Sequence, residues 1–506
     1  MSAIVAAHGP FDERLGLRML DRMAHRGPDG GGSRSFPHAW LGVRYLAIVD
    51  PEGGAQPLTA GPPEAALIGD GEIDNYRRIR DGLGAHRFRT GSDLEAALQL
   101  YLDQGVASFE RLWGTFALAV AGEDGRFAVA RDVLGISPLY WARRGESVLF
   151  ASELKAFDAD WRPWVEPFPP GHAWTPEQGL IAGPAFPGST PVLLQSRAPS
   201  EDPPSWVFDA IRETLVRAVR RNLDAVVPVG IMLSGGVDSS IVAAIAAHLA
   251  GQQGRRLPSF AVGMAGSSDL AAARLVAEHV GTEHHELVYT AEDAIALVPQ
   301  IIGELESFDP TLVHSAVPHH LVAALSAEQV KVVLAGEGAD ELFAGYAHYE
   351  RHDTGRALHE DLLDTLEGMH IGGLQRVDRV AAAYGIEPRL PFLDLDFVEL
   401  ALALPPGWKL LAEDRPAKWL LRRAFDGWLP EEVLWRRKEQ FGEGTGMNTV
   451  LREHFEATVS VEELAEAAPL LDPPVRTREE LAYFRIFTAA LPGIDPGRTV
   501  GRFAQA

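Results

Sequence analysis

Residues 226–251 read VVPVGIMLSGGVDSSIVAAIAAHLAG, and this stretch decides the fold of the second half of the chain. The β-branched apolar run VVPVGIML predicts a buried strand, and SSIVAAIAAHLAG predicts a helix that ends at Gly251. Between them, SGGVDSS places two glycines and several hydroxyls at a helix N-terminus. Backbone N–H groups in such a turn bind phosphate, so the stretch predicts a pyrophosphate or anion cradle that lacks the lysine of a Walker P-loop. The alternative interpretation is a helix cap after a glycine turn, but such a cap needs only one Ser or Asp.

Strand and helix patterns alternate on the carboxyl side of this stretch. The apolar runs LPSFAVG, HHELVYT and VKVVLAG predict further strands, and DLAAARLVAEHVG predicts a helix between two of them. Such alternation is typical of an α/β domain with a parallel sheet covered by helices. Because ligands of these sheets bind beyond the carboxyl ends of the strands, we expect the functional residues to follow those ends.

The N-terminal half has a different pattern, in which short apolar runs alternate with turn signals. The run FALAVAGEDGRFAVA at residues 116–130 predicts a hairpin closed by a Glu-Asp-Gly turn, and helical patterns separate other runs, so this half is predicted to be α+β. A Pro- and Gly-rich stretch follows at residues 161–204 and cannot sustain a helix. We predict an N-terminal domain at residues 1–192, a linker at 193–206 and a second domain at 207–506.

Composition restricts the function further. The chain has 506 residues, a formal net charge of −24 and no cysteine, so disulfides, thiolate metal sites and cysteine nucleophiles are excluded from this sequence. The acidic balance disfavours a nucleic-acid partner, whose phosphates would be repelled. We expect no membrane span, because no apolar run approaches the roughly 20 residues that one needs. No signal-peptide pattern is present at the start, so we expect a cytoplasmic protein.

Several motifs resemble those of one enzyme family. SGGVDSS resembles the PP-loop of ATP pyrophosphatases, and further motifs, in order along nearly the whole chain, are similar to those of glutamine-dependent (B-type) asparagine synthetases. These motifs are HRGPDG (25–30), RYLAIVDPEGGAQPL (44–58), DGEIDN (70–75), TGSDLE (90–95), ARDVLGISPLYW (130–141), VVLAGEGADELFAGY (332–346), EPRLPFLDLDF (387–397) and WRRKEQFGEGTG (435–446). The resemblance implies an N-terminal-nucleophile-type αββα sandwich, followed by an α/β PP-loop ATP pyrophosphatase domain.

The resemblance also implies a set of site residues in the second domain. The ATP-binding positions are Leu233, Ser234, Gly235, Gly236, Asp238, Ser239, Ser240, Val262, Gly263, Ala335 and Gly336. Asp238 and Asp340 are the expected ligands of Mg²⁺, which prefers hard oxygen donors. Lys438 would neutralise charge on the α-phosphate, and Glu337 would organise or deprotonate an attacking amine. Members that form β-lactams have a tyrosine near this position, so Glu337 indicates an amine taken from outside.

The stretch expected to hold the acid substrate departs from one branch of the family. That branch has a Thr-Thr-x-Arg-Ala-Ser run, whereas this chain has TLVHSA at residues 311–316 and offers no arginine there for a carboxylate. The departure does not exclude aspartate. We expect His314, His319 and His320 to be structural or substrate-lining rather than metal ligands, because no carboxylate completes a recognisable set.

The resemblance implies a damaged first site. In the family, removal of Met exposes a cysteine at residue 2, whose thiolate attacks glutamine; here that position is Ser2. An Asn-Gly-Glu run provides the family's oxyanion hole, and here it is Asp70, Gly71 and Glu72. An ionised aspartate cannot donate to an oxyanion, and one lost donor costs on the order of 10²–10³ in rate. Arg44, Glu72 and Asp93 match the family positions that hold glutamine, and all three remain. The pocket is therefore expected either to bind a glutamine-like ligand or to serve only as a scaffold.

We therefore expect an ATP- and Mg²⁺-dependent, AMP-forming amide ligase without its own glutaminase activity. It would adenylate a carboxylate, aspartate by default, and transfer ammonia or another amine to it. One alternative is amide or lactam formation on a specialised metabolite or peptide carboxylate. Another is a non-catalytic ligand-binding or regulatory homologue. A small-molecule acid and an amine are the expected partners, and a homodimer and an external ammonia source or glutaminase are left open.

Overall fold

The computed structural model describes residues 1–183, 202–436 and 447–502. Its N-terminal strands are β1 Ser2–His8, β2 Gly30–Phe36, β3 Ala39–Tyr45, β4 Leu58–Ala60, β5 Ala65–Ile73, β6 Gly114–Gly122, β7 Phe127–Arg131, β8 Tyr140–Arg144, β9 Ser147–Ala151, β10 Val165–Pro167, β11 His172–Thr175 and β12 Gly179–Ala182. The helices of this half are α1 Glu13–Arg22, α2 Tyr76–Leu83 and α3 Asp93–Gln104. Within the described residues the strands form two antiparallel sheets of six strands, ordered β10-β8-β9-β1-β3-β2 and β12-β11-β7-β6-β5-β4.

The two sheets pack face to face, with helices on their outer faces. Apolar side chains that alternate along the strands meet between the sheets, among them Ile4, Ile68 and Phe150, which have no exposed surface. On the outside, α1 packs through Leu20 beside β1 and β3, and α3 packs through Leu98 beside β4 and β5. The predicted αββα sandwich is therefore confirmed.

The predicted hairpin at residues 116–130 is also confirmed. Strands β6 and β7 pair antiparallel over Ala117↔Arg131 to Ala121↔Phe127. The turn between them contains Gly125 at φ +88°, a conformation that glycine adopts without steric cost.

The second half alternates helices and parallel strands. Its strands are β13 Val229–Met232, β14 Pro258–Gly263, β15 Glu283–Val288, β16 Val332–Leu334 and β17 Glu387–Arg389. Its helices are α4 Ser205–Asn222, α5 Val237–Gly251, α6 Ser268–Val280, α7 Ala291–Leu305, α8 Pro310–Ala327, α9 Ala339–Leu342, α10 Gly355–Gly368, α11 Gly373–Ala382, α12 Leu395–Ala403, α13 Trp419–Ala424, α14 Glu431–Leu434, α15 Met447–Glu456, α16 Val461–Ala467, α17 Arg478–Ala490 and α18 Pro496–Thr499. The predicted linker overlaps residues 184–201, which lie outside the described ranges, so the domain boundaries stay predictions.

These strands form one parallel sheet, as the alternation predicts. In the described residues its order is β15-β14-β13-β16-β17, and every neighbouring pair is parallel. The strand order reverses at β13, because β14 lies on one side of it and β16 on the other. Ligand sites of open α/β sheets lie at such a switch point, beyond the carboxyl ends of the strands. The glycine-rich turn after β13 is therefore at the expected place.

Besides the core between the two antiparallel sheets, one hydrophobic cluster extends across both halves. A continuous cluster of buried side chains joins the outer face of the first sheet to α7 and α11, and it includes Val5, Met19, Ile302 and Val380. Burial of apolar surface is the dominant favourable contribution to folding, so the interface stabilises both halves. None of the helices in residues 1–183, 202–436 and 447–502 combines the length and the apolar character of a membrane span.

A buried ionic cluster lies beside this shared core. Arg26 has no exposed surface, and its guanidinium lies 2.9 Å from Asp70, 3.0 Å from Glu153 and 2.7 Å from Asp378. Asp378 belongs to α11 in the second half, so one arginine joins carboxylates of both halves. Burial alone would lower the pKa of Arg26, but these carboxylates outweigh it and raise that pKa well above its ordinary value, which keeps the guanidinium charged.

Replacing Arg26 with methionine is expected to destabilise the whole chain. Removing one member of a buried ion pair leaves uncompensated charge, which costs about 3–5 kcal/mol. Urea unfolding measures the change, and Arg356→Met, which breaks the exposed pair with Glu360, is the control at about 0–1 kcal/mol. Equal effects of the two substitutions would contradict a central role for Arg26.

Candidate active site

The turn after β13 forms the cradle that the sequence predicts. Gly235 has φ +76°, and a side chain there would meet the backbone of Asp269 at 2.7 Å, so both conformation and space require glycine. Ser234 Oγ lies 3.0 Å from Ser239 Oγ, and Ser240 Oγ donates to the Gly236 carbonyl at 2.7 Å. These bonds fix the turn and leave the N-terminus of α5 directed at the end of the sheet.

A cavity of about 250 Å³, here called the strand-end cavity, opens beside this turn. Most of the predicted site residues line it: Leu233, Ser234, Gly236, Asp238, Ser239, Val262, Ala335, Gly336, Glu337 and Asp340. Gly235, Ser240 and Gly263 do not line it; they shape the turn and the end of β14 instead. Lys438 lies outside the described residues.

Asp238 and Asp340, the predicted metal ligands, converge on one cation. Lys418 Nζ forms ion pairs with both carboxylates, at 2.7 Å for Asp340. Burial by itself would lower the pKa of Lys418, but the two carboxylates outweigh it and raise that pKa, so the ammonium is charged. Gly345 makes the approach feasible, because a side chain there would lie 1.9 Å from Asp340 Oδ1. Two carboxylate oxygens facing one cation are a donor set that also fits Mg²⁺ on a pyrophosphate.

Sequence reasoning missed Lys418. It precedes α13 with φ +62°, an uncommon conformation for a residue other than glycine. Lys418 and Asp238 are 180 residues apart in the sequence. No local sequence pattern therefore predicts their contact or the positive φ of Lys418. In the described residues no cluster of three or more His, Asp or Glu side chains is placed to hold a metal ion.

Glu337 also has a partner that the sequence does not indicate. Arg376, on α11, donates from Nη2 to Glu337 Oε1 at 3.2 Å, and both residues line the strand-end cavity. Arg376 therefore orients the carboxylate that the resemblance implicates in amine attack. Because α11 also carries Asp378, the buried Arg26 cluster and Glu337 are connected through one helix.

The three histidines of α8 have different surroundings. His314 lies 2.6 Å from Glu479, and His320 bonds Glu304 at 2.9 Å and Tyr384 at 2.5 Å. These two are structural, as one of the sequence alternatives held. His319 lines the strand-end cavity.

A second cavity, of about 60 Å³, lies between the halves and is here called the interdomain cavity. Asp70, Gly71 and Glu72 line it from the first half, and Arg389 from the second. The backbone N–H of Ser2 donates to Asp70 Oδ1, and Arg26 donates to Asp70 Oδ2 at 2.9 Å, so both carboxylate oxygens act as acceptors.

The other positions carried over from the family also have partners within the protein. Glu72 lies 2.9 Å from Arg389 in an ion pair between the halves. Arg44 pairs with Asp21 at 2.6 Å near the surface, and Asp93 accepts from the Ile73 N–H at 2.7 Å. The lining of the interdomain cavity, as the described residues form it, does not include Ser2, Arg44 or Asp93. Burial raises the pKa of Asp93 to about 6.

The fold and site together define a two-part enzyme, with an amidotransferase-type sandwich fused to a sheet that carries a PP-loop. Family profiles agree: residues 1–166 match "Glutamine amidotransferase domain", and residues 210–361 and 350–479 match "Asparagine synthase". "Asparagine synthetase [glutamine-hydrolyzing] 3" of Arabidopsis thaliana is 37% identical over 97% of this chain and 88% of its own. "Asparagine synthetase [glutamine-hydrolyzing]" of Sandersonia aurantiaca is 36% identical over 98% of this chain and 97% of its own.

The chain therefore belongs to the asparagine synthetase family. It is a carbon–nitrogen ligase that resembles glutamine-hydrolysing asparagine synthase.

Replacing Lys418 with methionine is expected to make the fold depend on Mg²⁺. The variant removes the buried ammonium that pairs with both Asp238 and Asp340, which should lower the free energy of unfolding by about 3–5 kcal/mol. A divalent ion bound by the two carboxylates would restore part of that loss. The thermal midpoint, measured against MgCl₂ and against NaCl of equal ionic strength, should rise with Mg²⁺ far more in the variant than in the wild type.

The more exposed Lys331→Met is the matched control for this experiment, because Lys331 pairs with Asp29 on the surface. Recovery of the Lys418 variant in NaCl equal to that in MgCl₂ would contradict the assignment of the two aspartates.

The buried Asp93 carboxyl is expected to give stability a pH dependence. Its pKa is about 6 in the folded chain against an ordinary value of 3.8, so the folded state binds the proton more tightly. The free energy of unfolding should therefore fall as pH rises from about 4 to about 6, by up to about 3 kcal/mol. Asp93→Asn removes this contribution, and urea unfolding from pH 4 to 8 should show the variant gaining on the wild type. Exposed Asp81→Asn is the control, and a constant difference across the pH range would contradict the expectation.

Proposed function

We propose that the chain is an ATP-dependent, AMP-forming amide ligase that adenylates a carboxylate, aspartate by default, and transfers ammonia or another amine to it. The observation that carries the proposal is the convergence of Asp238, Asp340 and Lys418 beside the cradle, with Glu337 in the same cavity. A pyrophosphate needs this concentration of donors and cations, and acyl transfer needs a placed carboxylate.

The residues divide into binding and reacting groups. Donors of the Ser234–Ser240 turn would hold the phosphates, and Val262 would border the adenosine. Asp238 and Asp340 would hold Mg²⁺, which neutralises charge on the pyrophosphate. Lys418 adds a fixed positive charge at the same place, and Lys438 is proposed for the α-phosphate.

In this proposal the substrate carboxylate attacks the α-phosphorus and releases pyrophosphate, and an amine then attacks the acyl carbon and releases AMP. Glu337, oriented by Arg376, would accept a proton from the attacking amine. A carboxylate within hydrogen-bond reach of an amine suits that role, because the amine must lose a proton to form a neutral amide.

We further propose that the N-terminal half does not hydrolyse glutamine. Two features support this: the nucleophile position is Ser2, and Asp70 stands where an oxyanion donor is expected. Both oxygens of Asp70 already accept hydrogen bonds, from Ser2 and Arg26, so this side chain offers no N–H to an oxyanion. Ammonia or an amine would then come from solution or from another protein.

Substitution of Glu337 separates the two half-reactions. Glu337→Gln should retain aspartate-dependent exchange of labelled pyrophosphate into ATP and should lose amide formation by about 10²–10⁴-fold, because only the second step uses the carboxylate. Exposed Glu432→Gln is the control. Loss of exchange and amide formation together would contradict the assigned role.

The nitrogen source and the overall reaction are tested on the wild type. Pyrophosphate release with ATP and aspartate, completed to labelled asparagine by ammonia, is the expected result. Free glutamate and amide formed from glutamine alone would overturn the proposed loss of hydrolysis. Release with a different acid only would favour a specialised substrate, and no release with any acid would favour a non-catalytic homologue.

A further inference from the structure

His319 is a buried polar side chain that lacks a partner. It is 3% exposed, and neither ring nitrogen has a hydrogen-bond partner in the described residues, although it lines the strand-end cavity. Its neighbour His320, on the same helix, is fully bonded. Buried polar groups are nearly always paired, so a side chain left open to a cavity indicates a ligand that completes it.

A second open donor lies in the same cavity. Arg376 bonds Glu337 through Nη2, but its buried Nε has no partner in the described residues. Arg376 and His319 line the same cavity. Burial, followed by the charge of Arg376, holds the pKa of His319 well below its ordinary value, so the ring is neutral and offers one donor and one acceptor.

The two open groups have complementary chemistry. The guanidinium N–H suits a carboxylate, and the acceptor nitrogen of a neutral imidazole suits an ammonium group. Arg376 bonds Glu337, where the acyl group would react, and His319 lines the same cavity, to which Leu312 and Val322 of α8 add apolar wall. An α-amino acid head group carries both charges on one carbon and would satisfy both side chains at once.

We infer that His319 is a specificity-determining residue that accepts a hydrogen bond from the α-amino group of the acid substrate, while Arg376 Nε–H donates to its α-carboxylate. In this orientation the second carboxyl group of the acidic amino acid, which is the default substrate of the proposed function, is the one activated. This inference rests on the proposed adenylation. It also provides a carboxylate-binding arginine in place of the one that is missing from residues 311–316.

The test compares L-aspartate with succinate, which lacks only the amino group, by pyrophosphate release with wild-type chain, His319→Leu and His319→Gln. The wild type should prefer aspartate. His319→Leu should lower kcat/KM for aspartate by about 10- to 100-fold, mainly through KM, and leave succinate and the KM of ATP unchanged. His319→Gln, which keeps an acceptor, should restore part of the preference.

Two controls separate recognition from folding. His320→Leu removes a bonded neighbour of the same type, so it should lower the thermal midpoint and leave the ratio of aspartate to succinate unchanged. His319→Leu removes an unpaired buried group, so its thermal midpoint should not fall below that of the wild type.

The outcomes distinguish this inference from the proposed function. Equal losses with aspartate and succinate, or a raised KM for ATP, would overturn the role of His319 and leave the ligase proposal standing. Absence of pyrophosphate release from the wild type with every acid would overturn the ligase proposal itself.

Discussion

The arrangement of the two halves depends on one buried guanidinium, that of Arg26, which must be paired with carboxylates. The guanidinium needs carboxylates around it because it has no exposed surface, and Asp70 and Glu153 of the first half and Asp378 of the second provide them. Meeting that need fixes the position of α11. The same helix presents Arg376 to Glu337, so the geometry of the strand-end cavity depends on an ion cluster that belongs mostly to the other half.

In the strand-end cavity, too, charged side chains are paired with charges of opposite sign. Its floor is a turn of backbone donors, and its acidic side chains are held in place by basic ones before any ligand enters: Asp238 and Asp340 by Lys418, and Glu337 by Arg376. Groups oriented in advance need not reorganise when charge develops on a substrate. Conformations that are uncommon elsewhere, such as that of Lys418, are accepted here because they complete these pairs.

Local patterns predicted the fold well and the site in part. The strand, glycine turn and helix around SGGVDSS, the hairpin at residues 116–130 and the parallel sheet depend on short-range periodicity and turn chemistry, which a sequence displays directly. Lys418 and Arg376 could not be found in this way, because their partners lie far along the chain and ion pairing leaves no periodic signal. Arg44 and Asp93 match family positions, and in the structure Arg44 pairs with Asp21 and Asp93 accepts from the Ile73 N–H. Their assignment to glutamine binding stays a prediction, because a matching residue type does not fix where a side chain points.

The hydrophobic core shared by the two halves has a consequence for the history of the chain. Val5 and Met19 pack with residues of α7 and α11, so deleting the first half would expose apolar surface of the second half to solvent. Evolution could change the chemistry at Ser2 and Asp70 and would still have to retain the polypeptide around them, because the second half packs against it. Mutational drift in this half is then limited by how well it packs against the second half, independently of any reaction at its small cavity.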